Sequence, residues 1–460
     1  MRSLLLALLL LPSAAHAADS QPADVAAAGA PNGDAPADPT PPDVLNGERY
    51  DSRAAEPPPR DTGRAVARML LWPPRMLVRG IGGVARPAME WNERDHVQQR
   101  ITQALTSDDG LVGVRPVVNY EADFTPSFGL LFFDNRMPDH MRSSVSSAFG
   151  GPNVLLNEAR LAIPLGAHVE LALHADYWRR NDELYTGMGM HSRLPFSRYA
   201  FERVDSTAEL QYKPVHALRL DLGTDLGWRR FSNGTSYDGD QPIANVYCER
   251  GVGGRCDGPV DERLVPGYAA GTQFVRVHGA AHVDGRTDEL SSGLVADARV
   301  DYTHGLGSDD SSYLRLHGHI GRSFEIWQRR SIYIGISGDD EVAFGKTPIP
   351  FSELVQLGGI DDLRGFRRAR FRDASSLLGT IEYRWPIWMW MDGSLFADYG
   401  GVFKPQFANF AVKDLRPDVG IGLRMHSTDK YSLRIQVAYG FGGGGGGGIR
   451  LVFAGNGNPS

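Results

Sequence analysis

The sequence predicts an all-β fold, a transmembrane antiparallel β-barrel of about 16 strands preceded by a short helical segment. Three observations carry this prediction. From about Val112 onward, segment after segment alternates apolar and polar residues with the period of a strand. The connections between these segments alternate long and short, as outer loops and periplasmic turns do in membrane barrels. An export signal opens the chain, and no later stretch reaches the ~18 uninterrupted apolar residues of a membrane helix, so any crossing must be made by strands.

The amino terminus carries Arg2, an apolar run from Leu4 to Leu11 and the cleavage site Ala15-His16-Ala17, which reads as a signal peptide over 1–17. No Cys follows the cleavage site, so a lipoprotein is not indicated. Residues 18–61 are rich in Ala, Pro, Asp and Gly, with Pro39-Thr40-Pro41-Pro42 and Pro57-Pro58-Pro59, and lack the apolar content to build a core. They read as a flexible periplasmic tether, most simply a spacer with no specific partner. Over 62–110 the chain changes character. Val66, Met69, Leu70, Trp72, Met76, Leu77 and Ile81 form an apolar cluster broken by Pro73-Pro74 and Pro87, and a polar, helix-like stretch runs from Glu90 to Leu105. This predicts a short periplasmic helical segment. Trp72 with Arg68, Arg75 and Arg79 suits an interfacial helix, with a packed plug as the alternative.

The barrel is expected over 111–456, and its clearest strands lie near the end. Tyr431, Leu433, Ile435, Val437, Tyr439 and Phe441 alternate with Ser432, Arg434, Gln436, Ala438 and Gly440, and Val419, Ile421, Leu423 and Met425 oppose Asp418, Gly420, Gly422 and Arg424. Earlier, Leu218, Leu220, Leu222, Leu226 and Trp228 oppose Arg219, Asp221, Gly223 and Asp225, and Leu314, Leu316 and Ile320 oppose Arg315, His317 and His319. A soluble sandwich would alternate as well. The connections discriminate: Arg180–Ala200, Phe231–Gly267 and Gly345–Ser375 are long, whereas Pro164–Ala167, Lys213–Ala217 and Ser427–Lys430 are tight. This count places both cysteines in the fourth outer loop and Arg364 in the sixth. The run Gly442–Gly448 becomes the last outer loop, followed by a final strand whose lipid face is Ile449, Leu451 and Phe453.

Composition excludes several functions. With 55 acidic and 48 basic side chains and a net charge of −7, there is no basic field to attract nucleic acid. Cys248 and Cys256 are the only cysteines, and a local disulfide is preferred over free thiols or a metal pair because the envelope is oxidising and no His flanks them. His317 and His319, two apart on a strand, share the lumenal face, but no carboxylate or Cys completes a ligand set, so ordinary lumenal polar residues are expected and no metal or cofactor is assigned. No G-x-S-x-G elbow occurs, and Gly442–Gly448 lacks the Lys-Ser/Thr end of a phosphate loop. The chain is not expected to be an enzyme.

The most informative feature is Leu363-Arg364-Gly365-Phe366 ahead of two acidic strand residues. In Leu377–Pro386, alternation puts Leu377, Ile381, Tyr383 and Trp385 on one face and Thr380, Glu382 and Arg384 on the other. Asp398 falls on the face of Asp392 and Ser394 by the same count. Both carboxylates therefore point away from lipid, where an arginine on an inward-folded loop could bridge them by bidentate, charge-assisted hydrogen bonds. Two roles stand open for Arg364: holding its loop inside the barrel, and gating.

Leu357-Gly358-Gly359, Leu363-Arg364-Gly365-Phe366, Glu382 with Pro386, and then Phe396, Asp398 and Gly400 resemble in order and spacing the motifs of the BamA/TamA (bacterial surface antigen) superfamily, over roughly Phe351 to Phe453. The resemblance implies a loop folded back into the lumen, with its arginine on acidic residues of neighbouring strands. It further implies a barrel in the outer membrane of a Gram-negative bacterium, surrounded by outer-membrane lipids and lipopolysaccharide, that assists insertion or passage of client proteins or lipids. A passive pore or structural protein plugged by the sixth loop is the alternative. Members of that superfamily usually carry periplasmic POTRA modules. Between the tether and the first strand there are too few residues for one, which leaves the receipt of clients in question.

Overall fold

The computed structural model describes residues 104–455, apart from 122, 193–194, 236–238, 250, 253–254, 257, 308–309, 328, 346, 389–390, 428–429 and 443–446. The chain divides into two compact units, and all of these residues fall in the one running from Gln98 to Ser460. The expected signal peptide and tether, and the expected helical segment up to residue 103, lie outside the described residues. Residues 104–105 are helical, and Thr106 then bridges to Gly113 at the start of the first strand.

Among the described residues sixteen strands form the wall, besides short strands within the outer loops: β1 (Val112–Asn119), β2 (Ser127–Asp134), β3 (Arg142–Phe149), β4 (Leu155–Pro164), β5 (Val169–Tyr185), β6 (Ser197–Val215), β7 (Leu218–Asn233), β8 (Thr272–Asp284), β9 (Gly293–Gly305), β10 (Ser312–Trp327), β11 (Arg330–Phe344), β12 (Ser375–Trp388), β13 (Met391–Phe403), β14 (Arg416–Ser427), β15 (Lys430–Gly440) and β16 (Ile449–Gly455). Each pairs antiparallel with the next. β16 comes to lie beside β1, but among the described residues no paired register joins them.

Burial inverts the rule for a soluble protein. Leu222, Leu226, Val300, Tyr302, Ile320, Ile334, Ile336 and Ile381 are exposed, whereas Asp221, Arg229, Asp301, Glu341, Glu382, Asp398 and Asp418 are buried. Large apolar side chains on the outside of a continuous sheet, with ion pairs inside it, are what a barrel in hydrocarbon requires and what a sandwich core forbids. Each strand's period of two produces this sorting once the sheet curls round.

Strand ends differ from the expected ones at the outer rim. β5 continues to Tyr185 and β6 begins at Ser197, so the third outer loop shrinks to 186–196. Aromatic packing explains the extension: Tyr185, Tyr199, Phe231, Ile243, Tyr247, Val260, Val265 and Phe351 form one buried cluster joining the upper strands to the fourth and sixth loops. At the other end β6 runs on to Val215 through a register shift between Tyr212 and Val215, which leaves only 216–217 as the turn.

In the fourth outer loop, residues 234–271, Cys248 and Cys256 form a disulfide with Cα atoms 5.6 Å apart. The bridge closes a short loop, so it stabilises by only ~2–3 kcal/mol at most. Denatured, unreduced protein isolated from cells should therefore bind no maleimide, and Cys248→Ser should loosen the fourth loop while the barrel stays folded; two reactive thiols would contradict this.

Candidate functional site

The sixth outer loop, residues 345–374, turns into the barrel because its apolar residues have nowhere else to go. Leu357, Leu363, Phe366 and Phe371 pack with Met190 of the third loop and with Leu378 and Val402 of the wall in one buried cluster. A short antiparallel pair, Val355–Leu357 with Phe371–Asp373, forms the stem of the loop. Gly358 and Gly359 reverse the chain above the tip with φ of 110° and 132°. A Cβ on Gly358 would sit 2.2 Å from the Arg367 carbonyl oxygen, so only glycine fits.

At the tip, Arg364 meets both carboxylates. Its Nε and one terminal nitrogen donate to the two oxygens of Asp398 at 2.8 and 2.9 Å, and the other terminal nitrogen donates to Glu382 Oε2 at 3.0 Å. The guanidinium also lies over the Phe396 ring, 3.4 Å from its centroid, so one face is stacked while the edges are hydrogen bonded. All three charged side chains are at least nine-tenths buried. In that setting the pair resists screening, and losing one partner strands the other.

Neighbouring groups complete the cluster. Thr380 donates its hydroxyl to Asp398 Oδ1 at 2.9 Å. Glu382 also receives Arg384 at 3.2 Å and Arg424 at 2.6 Å, so one carboxylate holds three guanidinium groups. Asp418, directly opposite Asp398 in the ladder, accepts the Gly365 backbone N–H at 2.9 Å. Sequence alternation had already put Asp418 and Arg424 on the inner face, but nothing in the sequence singled them out from other lumenal residues.

Gly365 serves close approach and not a left-handed backbone. A Cβ there would lie 2.4 Å from the Gly440 nitrogen and 2.7 Å from the Asp418 Cβ, and the left-handed residue of the tip is Leu363, with φ of 45°. Burial of the Leu363 side chain in the apolar cluster offsets that strain of roughly 1 kcal/mol or more. Gly365→Ala should push the tip off β14 and β15 at a cost of ~1–3 kcal/mol. Trypsin acting on folded protein should then cut the sixth loop faster than in the wild type. Unchanged cleavage would show that the tip is not seated where the geometry places it. Gly400 acts in the same manner between β12 and β13, since a Cβ on it would lie 2.7 Å from the Leu377 carbonyl oxygen. Phe366 stacks edgewise on Phe371 at 5.1 Å and closes the wedge beside the arginine.

The loop has further anchors that sequence reading missed. Glu353 enters the opposite wall, bonding Arg276 at 2.9 Å, Arg229 at 3.4 Å and the Tyr313 hydroxyl at 3.3 Å, while Arg315 donates to its backbone carbonyl. Arg368 holds Glu183 at 2.9 Å and lies 3.9 Å from the centroid of Phe124, and Arg372 donates to the Phe351 carbonyl at 3.0 Å. The run Arg367-Arg368-Ala369-Arg370 was visible in the sequence, but its hydrogen-bond partners Asp240, Ser192 and Glu183 are 127, 178 and 185 residues away. His317 bonds Asp339 at 2.9 Å, and His319 bonds Asp297 at 2.9 Å and the Tyr333 hydroxyl at 2.6 Å, so both face the lumen as members of its hydrogen-bond network.

Ordered motif residues, an inward sixth loop and sixteen antiparallel strands now stand together, and residues 280–454 match the Omp85 superfamily domain. Residues 280–454 form an Omp85 superfamily domain, and the barrel that contains them is BamA-like in fold. Among solved structures, its fold is similar to BamA from Haemophilus ducreyi lacking POTRA domains 1-3, at 13% identity and a TM-score of 0.54, over 75% of this chain and 69% of that one. Lower similarity extends to CdiB from Acinetobacter baumannii, at 12% identity and 0.45 over 76% and 63%, and to CdiB from Escherichia coli, at 11% and 0.46 over 74% and 62%. No curated protein matches the sequence. The Omp85 match begins within β8, so it contains the arginine loop and all three acidic residues that surround its tip.

Proposed function

We propose that this Omp85 barrel resides in the outer membrane of a Gram-negative bacterium and assists insertion or translocation of proteins or lipids there, without catalysing a covalent reaction. Its surroundings are outer-membrane lipids and lipopolysaccharide, and its clients are proteins or lipids in transit. The observation that carries this reading is Arg364 held by Asp398 and Glu382 inside an Omp85 domain. A buried charge triad of this kind fixes one loop position in a wet lumen, and a fixed position is what a switching element needs in its resting state. Among the described residues β16 lies beside β1 with no paired register, which supports the same reading, because a seam between two strand edges can accept a client strand.

A second reading has its own support. The third, fourth and sixth outer loops interlock through the Tyr185 cluster and through Thr186 donating to the Arg370 carbonyl at 2.7 Å, as the plug of a passive pore would. Two measurements separate them. Photocrosslinkers placed on outward positions of β1 and β16 should capture nascent barrel proteins in cells if the barrel is an insertase. Absence of such crosslinks, together with conductance that rises sharply when residues 345–374 are deleted, would favour the plugged pore.

A further inference from the structure

The connection between β8 and β9, residues 285–292, is the longest at the short-turn end of the barrel, and it does not project outward. Leu290 is 3% exposed, and the turn is tightly built: Asp288 Oδ1 accepts the backbone N–H groups of Leu290 and Ser291 at 2.8 and 3.1 Å, and Ser291 Oγ accepts those of Thr287 and Asp288 at 2.9 and 3.1 Å. Arg286 clasps Asp284 and Glu289, and Arg329 of the next turn at that end reaches Asp288 at 3.4 Å. A rigid turn of this kind transmits displacement rather than absorbing it.

From this turn a line of charge runs to the sixth loop. Glu289 Oε2 receives Arg384 of β12 at 3.0 Å, and Arg384 Nε reaches Glu382 Oε1 at 3.2 Å. The other oxygen of Glu382 takes Arg364 at 3.0 Å. Tyr333 of β11 supports Arg384 from below, with the guanidinium 5.1 Å from the ring centroid. Side-chain exposure along the line is 45% for Glu289, 9% for Arg384, 2% for Glu382 and 5% for Arg364, so Glu289 is the single member open to solvent.

We propose that the β8–β9 turn is a positioning device for the sixth loop: Glu289, through Arg384 and Glu382, holds Arg364 in its docked place, and displacing the turn loosens the loop tip from the opposite end of the barrel. With Glu289 gone, Arg384 has Glu382 as its remaining carboxylate. Arg364 and Arg424 then compete with it for the same two oxygens. The functional use of this coupling rests on the reading of the sixth loop as a moving element, but its existence does not. The route begins at an acidic group that solvent and partners can reach and ends at a buried one that they cannot.

Hydrogen–deuterium exchange on the full-length protein in detergent tests it. Glu289→Ala should speed exchange of the Gly365 and Phe366 amides roughly fivefold, with β12–β14 still protected, while Glu289→Gln, whose amide oxygen can still accept from Arg384, should fall between it and the wild type. Arg384→Met should reproduce the effect, and combining it with Glu289→Ala should add nothing further. Faster exchange confined to 285–292 in Glu289→Ala, with Gly365 and Phe366 unchanged, would overturn the proposal. Failure of crosslinking to clients would count against the insertase reading and leave this result untouched.

Discussion

Arg364→Ala should release the tip of the sixth loop and destabilise its docked state by ~3–5 kcal/mol, because buried Asp398 loses its bidentate guanidinium partner and keeps neutral donors such as the Thr380 hydroxyl. Asp398→Ala should cost somewhat less. Arg364 would still reach Glu382 at 3.0 Å and lie over Phe396. The double variant should cost less than the sum of the two, since the second substitution removes a charge whose partner is already gone. Protease sensitivity of the sixth loop in the folded barrel, together with loss of the unheated gel form on warming, measures both the local and the global effect. Strict additivity would mean that the two side chains do not interact as their 2.8 Å contact requires. An exposed pair of the same composition would be worth under ~1 kcal/mol, so the size of the effect also reports burial.

Glu353→Ala should have an effect of similar size on the opposite wall. Burial pushes the Glu353 carboxyl up, but Arg229, Arg276 and Arg315 outweigh that and hold it at about 2. Removing it leaves Arg229 with Asp205, and Arg276 with the Thr303 and Tyr313 hydroxyls, a loss of ~3–5 kcal/mol to the stem of the loop. The depressed value sets the pH dependence. The folded state binds fewer protons than the unfolded one, so the contribution is complete above the ordinary glutamate value of 4.5 and is lost as pH falls from there through about 2. Loop protection in the wild type should therefore decline across that window more steeply than in Glu353→Gln. Parallel pH profiles for the two proteins would show that Glu353 is not held by the three arginines.

Much of the site was legible because a strand's period is two. Once Leu377, Ile381 and Tyr383 are assigned to lipid, Glu382 has to face the lumen, and the same count turns Asp398 and Asp418 inward on the next two strands. Loop lengths then identified which connection could carry Arg364 inside. Local spacing could not disclose the partners of Glu353 or Arg368, because those contacts cross the lumen between residues far apart in the chain.

Periodicity, the alternation of long and short connections and the order of the motif residues were sufficient for the barrel, its strand number near sixteen, the inner and outer faces and the acidic surroundings of Arg364. These properties are local or repeat along the chain, so sequence carries them directly. Tertiary structure alone decided the extended outer ends of β5 and β6, the close approach at Gly365 with the left-handed turn at Leu363, the second anchor at Glu353 and the inward β8–β9 turn. Each of these depends on which distant side chain closes a cavity or neutralises a charge. That is settled only when the sheet has curled and brought its strands around one lumen.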